Sequence, residues 1–160
     1  MKKIQIELPT YWRVQGSVED VYDVITHPLE FPRWWPQVYL DAKQLEPGDD
    51  RGIGRIVQVK TKGRLPYTMT WRAQSVKSEK PTLLALRSEG DLQGEGVWHF
   101  KQVGSWVEIF YDWKVIPNKK WMRLFASILV PIFRANHYWA MSQGEKCLAK
   151  ELLRRSRIKS

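Results

Sequence analysis

Phe31-Pro32-Arg33-Trp34-Trp35-Pro36-Gln37-Val38-Tyr39 carries a tandem tryptophan between two prolines. Proline removes a ladder donor and biases the residue before it away from helix, so this stretch cannot be an interior strand. It reads as a short, stiff turn bearing two very large apolar rings that must cover something or be covered. The rest of the chain repeats the theme, with nine Trp, six Tyr and five Phe in 160 residues. So many rings point to a broad aromatic interior of the kind that holds a small molecule.

Before the turn, residues 11–15 read as a strand ended by Gly16-Ser17. Ser17 can cap a helix whose third position is Asp20, and Val18, Val21, Tyr22 and Ile25 follow at helical spacing until His27-Pro28 stops it. Residues 29–35 form a second short helix or turn. From 38 to 116 the apolar period is two, as in Tyr67, Met69, Trp71 and Ala73, in Trp98 and Phe100, and in Val107, Ile109, Tyr111, Trp113 and Val115. Turn signals divide these runs at residues 47–50, 62–63, 80–81, 90–96 and 104–105, which predicts antiparallel hairpins with one apolar and one wet face.

After Asn118 the period becomes 3.6. Leu129, Phe133, His137, Ala140, Met141, Gly144, Cys147 and Leu148 share one helical face, with Arg134, Tyr138, Ser142, Glu145, Lys146 and Lys150 opposite. Gly144 lets the backbone approach a neighbour. Pro131 is expected to open this main helix in its first turn, leaving residues 121–129 as a separate helix. The order predicts an α+β fold. A curved antiparallel sheet of about seven strands wraps a long C-terminal helix, with two short helices after the first strand. The helix stripe from Phe133 to Leu148 is expected to pack on the sheet face bearing Trp71, Trp98, Tyr111 and Trp113.

Length favours one domain over residues 1–160, with a basic tail from about residue 154. No apolar core follows Met1-Lys2-Lys3 as a secretory signal would require, and a single cysteine, Cys147, fits a reducing compartment, so a cytoplasmic location is expected. The formal charge of +9 asks for an anionic partner. No nucleic-acid-binding signature is present, so nucleic acid is not expected. The tail Arg154-Arg155-Ser156-Arg157-Ile158-Lys159 reads first as a solvated helix end complementing the macrodipole, and second as a contact for an anionic membrane surface. Residues 121–133, where Arg123 and Arg134 flank Leu124, Phe125, Ile128, Leu129, Ile132 and Phe133, fit either a membrane contact or burial against the sheet edge.

The element order resembles the helix-grip fold of the START-related superfamily (SRPBCC), and most closely its polyketide cyclase/dehydrase and lipid-transport-like branch. Phe31 to Pro36, Gly94-Glu95-Gly96-Val97-Trp98-His99-Phe100, and Pro131-Ile132-Phe133-Arg134-Ala135-Asn136-His137-Tyr138-Trp139-Ala140-Met141 carry the likeness. The resemblance implies an apolar ligand, aromatic, polyketide-like, isoprenoid or lipid, bound between sheet and helix. It leaves open whether the ligand is only bound, is carried to a membrane, or is converted chemically.

The inward rings and their neighbours make the expected ligand site: Trp35, Tyr67, Met69, Trp71, Trp98, Phe100, Tyr111, Trp113, Phe133, His137 and Met141. His137 is the one candidate catalytic group, as an acid or base, against the plainer reading of a core histidine bonded to a Tyr or Trp. Asn136 is expected to tie the helix to a loop. Glu89, Asp91 and Glu95 read as a solvated loop cluster, and Glu108 and Asp112 as outward. No metal is expected, since His27 and His99 face elsewhere and carboxylate or cysteine partners at useful spacing are lacking, and no cofactor is implied.

Overall fold

Alternation of apolar and polar residues builds the sheet. In the computed structural model, which describes residues 4–159, Ile6–Gln15 forms β1 with strictly alternating burial. Residues 1–3, where the amino-terminal reading began, and residue 160 lie outside the described residues. β1 starts before the expected residue 11 and includes Pro9. That is tolerated because β1 is an edge strand paired only with β7, so Pro9 has one side free of ladder partners.

Helix α1, Val18–Ile25, follows, with the Ser17 hydroxyl accepting the Asp20 amide at 3.2 Å as the cap requires. A single 3₁₀ turn, Pro28–Glu30, and the short α2, Phe31–Trp34, hold the tandem tryptophans. Strands β2 (Tyr39–Glu46), β3 (Ile56–Lys62), β4 (Thr68–Glu79), β5 (Leu83–Gly90), β6 (Leu92–Val103) and β7 (Trp106–Pro117) complete the sheet. Its seven strands run antiparallel in the order β1-β7-β6-β5-β4-β3-β2. A register shift in β4 between Ser75 and Lys77 adds a bulge, a device that bends a sheet.

The segment 90–96 is not one turn, as its glycines suggested. Only residue 91 separates β5 from β6, and Gly94 and Gly96 lie within β6. Glycine fits inside that strand because a side chain at 96 would meet the Tyr111 hydroxyl at 2.7 Å and the Trp113 ring at 2.8 Å.

Two helices close the concave face: α3, Lys120–Leu124, and α4, Ala126–Lys159. Pro131 lies inside α4 rather than opening it, and the break falls at Phe125. Only the first turn precedes Pro131, and the carbonyl it leaves without a partner belongs to exposed Ser127, where water can satisfy it. The predicted stripe holds: Phe133, Ala140, Met141, Gly144, Cys147 and Leu148 are buried, with Glu151 and Leu152 beyond them. On the facing sheet Trp71, Trp98, Tyr111 and Trp113 are buried as well.

The basic tail is not simply solvated. It forms the last turns of α4 and lies against acidic α1, Arg155 pairing with Asp23 and Lys159 with Asp20, both at 2.6 Å. Upstream, the buried Glu151 carboxylate takes Arg154 at 2.7 Å and Arg33 of α2. These charges fasten the end of α4 to the two short helices. Among the described residues no helix is long and apolar enough to cross a membrane.

Candidate functional site

The buried stripe of α4 and the aromatic rows of the sheet leave a gap between them. The gap forms an outer lobe of about 90 Å³, and an inner lobe of about 60 Å³ lies between the sheet and residues 25–31, sharing Tyr39, Trp71 and Tyr111 with it as walls. Nine of the expected ligand residues line the outer lobe. Met69 and Trp71 come from β4, Tyr111 and Trp113 from β7, and Phe133, His137 and Met141 from α4. Trp35 follows α2, and Tyr67 stands just before β4. Trp98 borders the inner lobe.

Phe100 borders neither lobe, contrary to the sequence expectation. It lies beyond Trp98, whose ring it parallels at 6.2 Å, and meets Tyr22 of α1 edge-on at 5.7 Å. There α1 fills the space that would otherwise extend the cavity. Parity along β6 placed Phe100 on the correct face but carries no information about what covers each position.

The cavity is narrow because its rings mesh. Tyr111 stacks on Trp98 at 3.9 Å and on Trp113 at 5.6 Å, and Trp71 leans on Trp113 at 5.7 Å. Sites for drug-sized ligands span about 300–1,000 Å³, whereas a dry cavity of about 150 Å³ accepts benzene. Neither lobe alone takes a multi-ring molecule unless a wall moves.

The wall most suited to moving is the β3–β4 connection, residues 63–67. It is held to α4 by the Arg64 amide donating to the Asn136 side-chain oxygen at 2.7 Å, the tie expected of Asn136. The Arg64 guanidinium lies 5.6 Å from the Trp139 ring, and Tyr67 meets Trp121 of α3 edge-on at 5.3 Å. These are few, half-exposed contacts, the hallmark of a segment that opens at low cost.

Polar groups inside the cavity are sparse. The Trp71 indole N–H donates to Thr61 Oγ1 at 3.1 Å, and the Trp35 N–H to the Ala140 carbonyl at 3.2 Å. Burial raises the Tyr39 phenol, and burial together with the nearby Asp112 charge raises that of Tyr111, so both stay protonated donors at neutral pH. His137 Nε2 lies 3.3 Å from Thr10 Oγ1. The expectation of a Tyr or Trp partner for His137 is thereby corrected. Thr10 is inward by the same parity as Leu8 and Trp12, a signal that reading β1 from residue 11 missed. Tyr39 and Thr61 were likewise not foreseen, since the first follows the turn and the second sits at a strand end.

Burial pushes the His137 imidazole down to about 4, with no charged neighbour opposing it. It is therefore neutral near pH 7, with one ring nitrogen donating and the other accepting. Such a group orients a ligand hydroxyl or carbonyl well. As a general base it is weak, because efficient proton transfer wants a pKa near the working pH.

The acidic candidates lie elsewhere. Asp91 accepts the Thr70 amide at 2.9 Å and pairs with Lys119 at 3.4 Å, and Glu89 sits 3.7 Å from Arg72. Glu95 and Glu108 are exposed. Cys147 is buried, its thiol 3.3 Å from the Gln37 side-chain oxygen. Among the described residues no three His, Cys, Asp or Glu side chains converge as a metal site would need.

The family described as polyketide cyclase / dehydrase and lipid transport matches residues 14–136. Among solved structures, the chain is similar to the Zhui aromatase/cyclase from Streptomyces sp. R1128, at 13% identity and a TM-score of 0.75, with 96% of each chain covered. It is similar to TTHA0849 from Thermus thermophilus at 12% identity and a TM-score of 0.70, covering 91% of this chain and 99% of that one. Truncated norcoclaurine synthase from Thalictrum flavum aligns at 13% identity and a TM-score of 0.65, with 96% of each chain covered. At these identities the likeness is one of fold. No curated protein sequence matches the chain.

Proposed function

The chain belongs to the polyketide cyclase/dehydrase and lipid-transport family, and on that premise we propose that it binds a small, flat, apolar molecule between its sheet and α4. An aromatic, polyketide-like or isoprenoid-like ligand bearing one or two oxygens suits the site. The observation that carries this reading is the company of two protonated phenols, Tyr39 and Tyr111, and a neutral imidazole, His137, in a cavity walled mostly by apolar side chains. Buried donors of this kind favour a ligand oxygen, because an unpaired one costs about 1–3 kcal/mol. Stacked indoles supply the apolar contact to a flat ligand.

Native mass spectrometry of the purified protein, followed by fluorescence titration with aromatic, acyl and isoprenoid compounds, tests the proposal. Saturable binding with quenching of Trp emission is expected. Trp71→Ala should abolish it, and Tyr111→Phe should weaken binding of an oxygenated ligand about 5–10-fold through one lost hydrogen bond. Absence of saturable binding across the panel refutes it.

A second reading, conversion of the ligand by a cyclase- or dehydrase-type step, is favoured by the place of His137 within the cavity. It also draws on two proteins of similar fold, an aromatase/cyclase and a norcoclaurine synthase. Turnover of the identified ligand, falling about 10²–10⁴-fold in His137→Gln with binding retained, would establish it. The low pKa of His137 and the lack of an orienting carboxylate favour binding over catalysis.

A further inference from the structure

Residues 119–134 have a second apolar face that the fold leaves uncovered. Met122 and Phe133 are buried, and Leu129 and Val130 pack against the core beside Ile6 and Pro117 at the end of the sheet. That accounts for one side of the segment. On the other, Trp121 is 43% exposed, Leu124 63%, Phe125 50%, Ile128 67% and Ile132 43%. Trp121 and Leu124 lie three apart on α3, Ile128 and Ile132 four apart on α4, and Phe125 stands at the corner between them, so the five make one exposed apolar ridge. Burial against the sheet edge therefore explains Met122, Leu129 and Phe133 but not these five side chains. A contiguous apolar surface of this kind marks a docking site.

The charge around the ridge names the occupant. No Asp or Glu occurs from residue 113 to 144, while Lys114, Lys119, Lys120, Arg123 and Arg134 all fall in that interval. Lys119 is engaged by Asp91, and Arg123 donates to the Asn118 side-chain oxygen at 2.7 Å. Lys120 and Arg134 are exposed and bracket the ridge in sequence. An apolar ridge accompanied by exposed cations complements a surface that is apolar within and anionic at its boundary, which is a bilayer containing anionic lipid.

We propose that the α3–α4 corner docks on an anionic membrane surface, with Trp121, Leu124, Phe125, Ile128 and Ile132 entering the headgroup boundary and Lys120 and Arg134 meeting lipid phosphates. The corner borders the mouth of the cavity. Trp121 touches Tyr67 of the β3–β4 connection, and Phe133 lines both the crevice beneath the corner and the outer lobe. Docking thus sets the mouth against the bilayer, where an apolar ligand crosses between cavity and lipid without entering water. The docking itself rests on exposure and charge, so it stands or falls separately from what the cavity holds.

Flotation of the full chain with phosphatidylcholine vesicles, with and without phosphatidylglycerol, tests this. The protein should float with the anionic vesicles at low salt and be released by high salt. Lys120→Gln and Arg134→Gln should each weaken partitioning about fivefold, the equivalent of about 1 kcal/mol per cation. Ile128→Asp and Leu124→Ser should abolish flotation while leaving the melting temperature near that of the parent, because both side chains face solvent. Failure to float with anionic vesicles at low salt overturns the proposal, as does flotation unchanged in Ile128→Asp. Light scattering supplies the remaining arm. A concentration-dependent dimer that Ile128→Asp dissociates would show that a second copy, not lipid, covers the ridge.

Discussion

Gly144→Ala should destabilise this protein, although helix propensity alone says the reverse. In a helix interior, alanine is favoured over glycine by about 1 kcal/mol. Here a Cβ on residue 144 would stand 2.6 Å from Trp35 Cε2 and 2.8 Å from Trp12 Cζ2. Carbon atoms rest about 3.5–4.0 Å apart, so the overlap is about 1 Å. Neither indole can slide away. Trp35 is 1% exposed, is tied to the Ala140 carbonyl of α4 at 3.2 Å, and is wedged between Trp34 at 5.5 Å and Tyr39 at 4.9 Å. Trp12 is held between Trp35 at 5.7 Å and Trp98 at 5.5 Å. Overpacking of a well-filled core costs about 1–3 kcal/mol, and rigid rings place this site at the upper end. Set against the propensity gain, a net loss of about 1–2 kcal/mol remains, or roughly 2–8 °C in melting temperature for a chain of this length. Gly144→Leu, with more atoms in the same space, should lose more. Calorimetry of the two variants beside the parent measures it. Because Trp35 also walls the outer lobe, ligand affinity should fall with stability. A Gly144→Ala variant that melts at or above the parent temperature would refute the packing argument.

Titration of His137 gives a second expectation. Its folded pKa of about 4 lies below the ordinary 6.5, so between those values the unfolded chain takes up a proton that the folded chain refuses. Stability should therefore fall as pH drops from 6.5 to 4, by at most about 3 kcal/mol, and His137→Gln should flatten that slope in urea unfolding. Glu151 acts in a lower window. Burial alone would raise its carboxyl, yet hydrogen bonds from Arg154 and Arg33 outweigh that and hold it down to about 2, from an ordinary 4.5. Its contribution is present above 4.5 and is lost as pH falls toward 2. Glu151→Gln should destabilise the protein at neutral pH, since it removes the ion pairs with Arg33 and Arg154, and the gap from the parent should close near pH 2. Thr10→Val, which removes the hydroxyl 3.3 Å from His137, should cost about 1 kcal/mol that Thr10→Ser restores. Equal stability of the valine form would show that this contact contributes nothing.

Much of the architecture was legible because periodicity is local. Trp98, His99 and Phe100 report which way a strand faces, and Phe133, Ala140, Met141, Gly144 and Leu148 report the inner side of a helix, whatever lies opposite. Errors arose where an element's fate depended on its surroundings. Pro9 stays in β1 because that strand is an edge, Pro131 stays in α4 because only a solvated first turn precedes it, and Gly96 stays in β6 because Tyr111 and Trp113 crowd it. The site divides the same way. Parity on β4, β6 and β7 and the stripe on α4 supplied most of the cavity walls, while Thr10, Tyr39 and the exclusion of Phe100 needed the position of α1 and the true start of β1.

From the sequence alone come the curved antiparallel sheet, the long helix that closes it and the aromatic lining between them, because alternation and helical spacing state which side chains must leave water. Tertiary structure alone decided how far those rings mesh, and so that the cavity is narrow. It also decided that the basic tail pairs with acidic α1, that Gly144 admits two indoles, and that five apolar side chains at the α3–α4 corner stay uncovered. Each of these depends on distances between residues far apart in the chain, which the pattern of near neighbours does not encode.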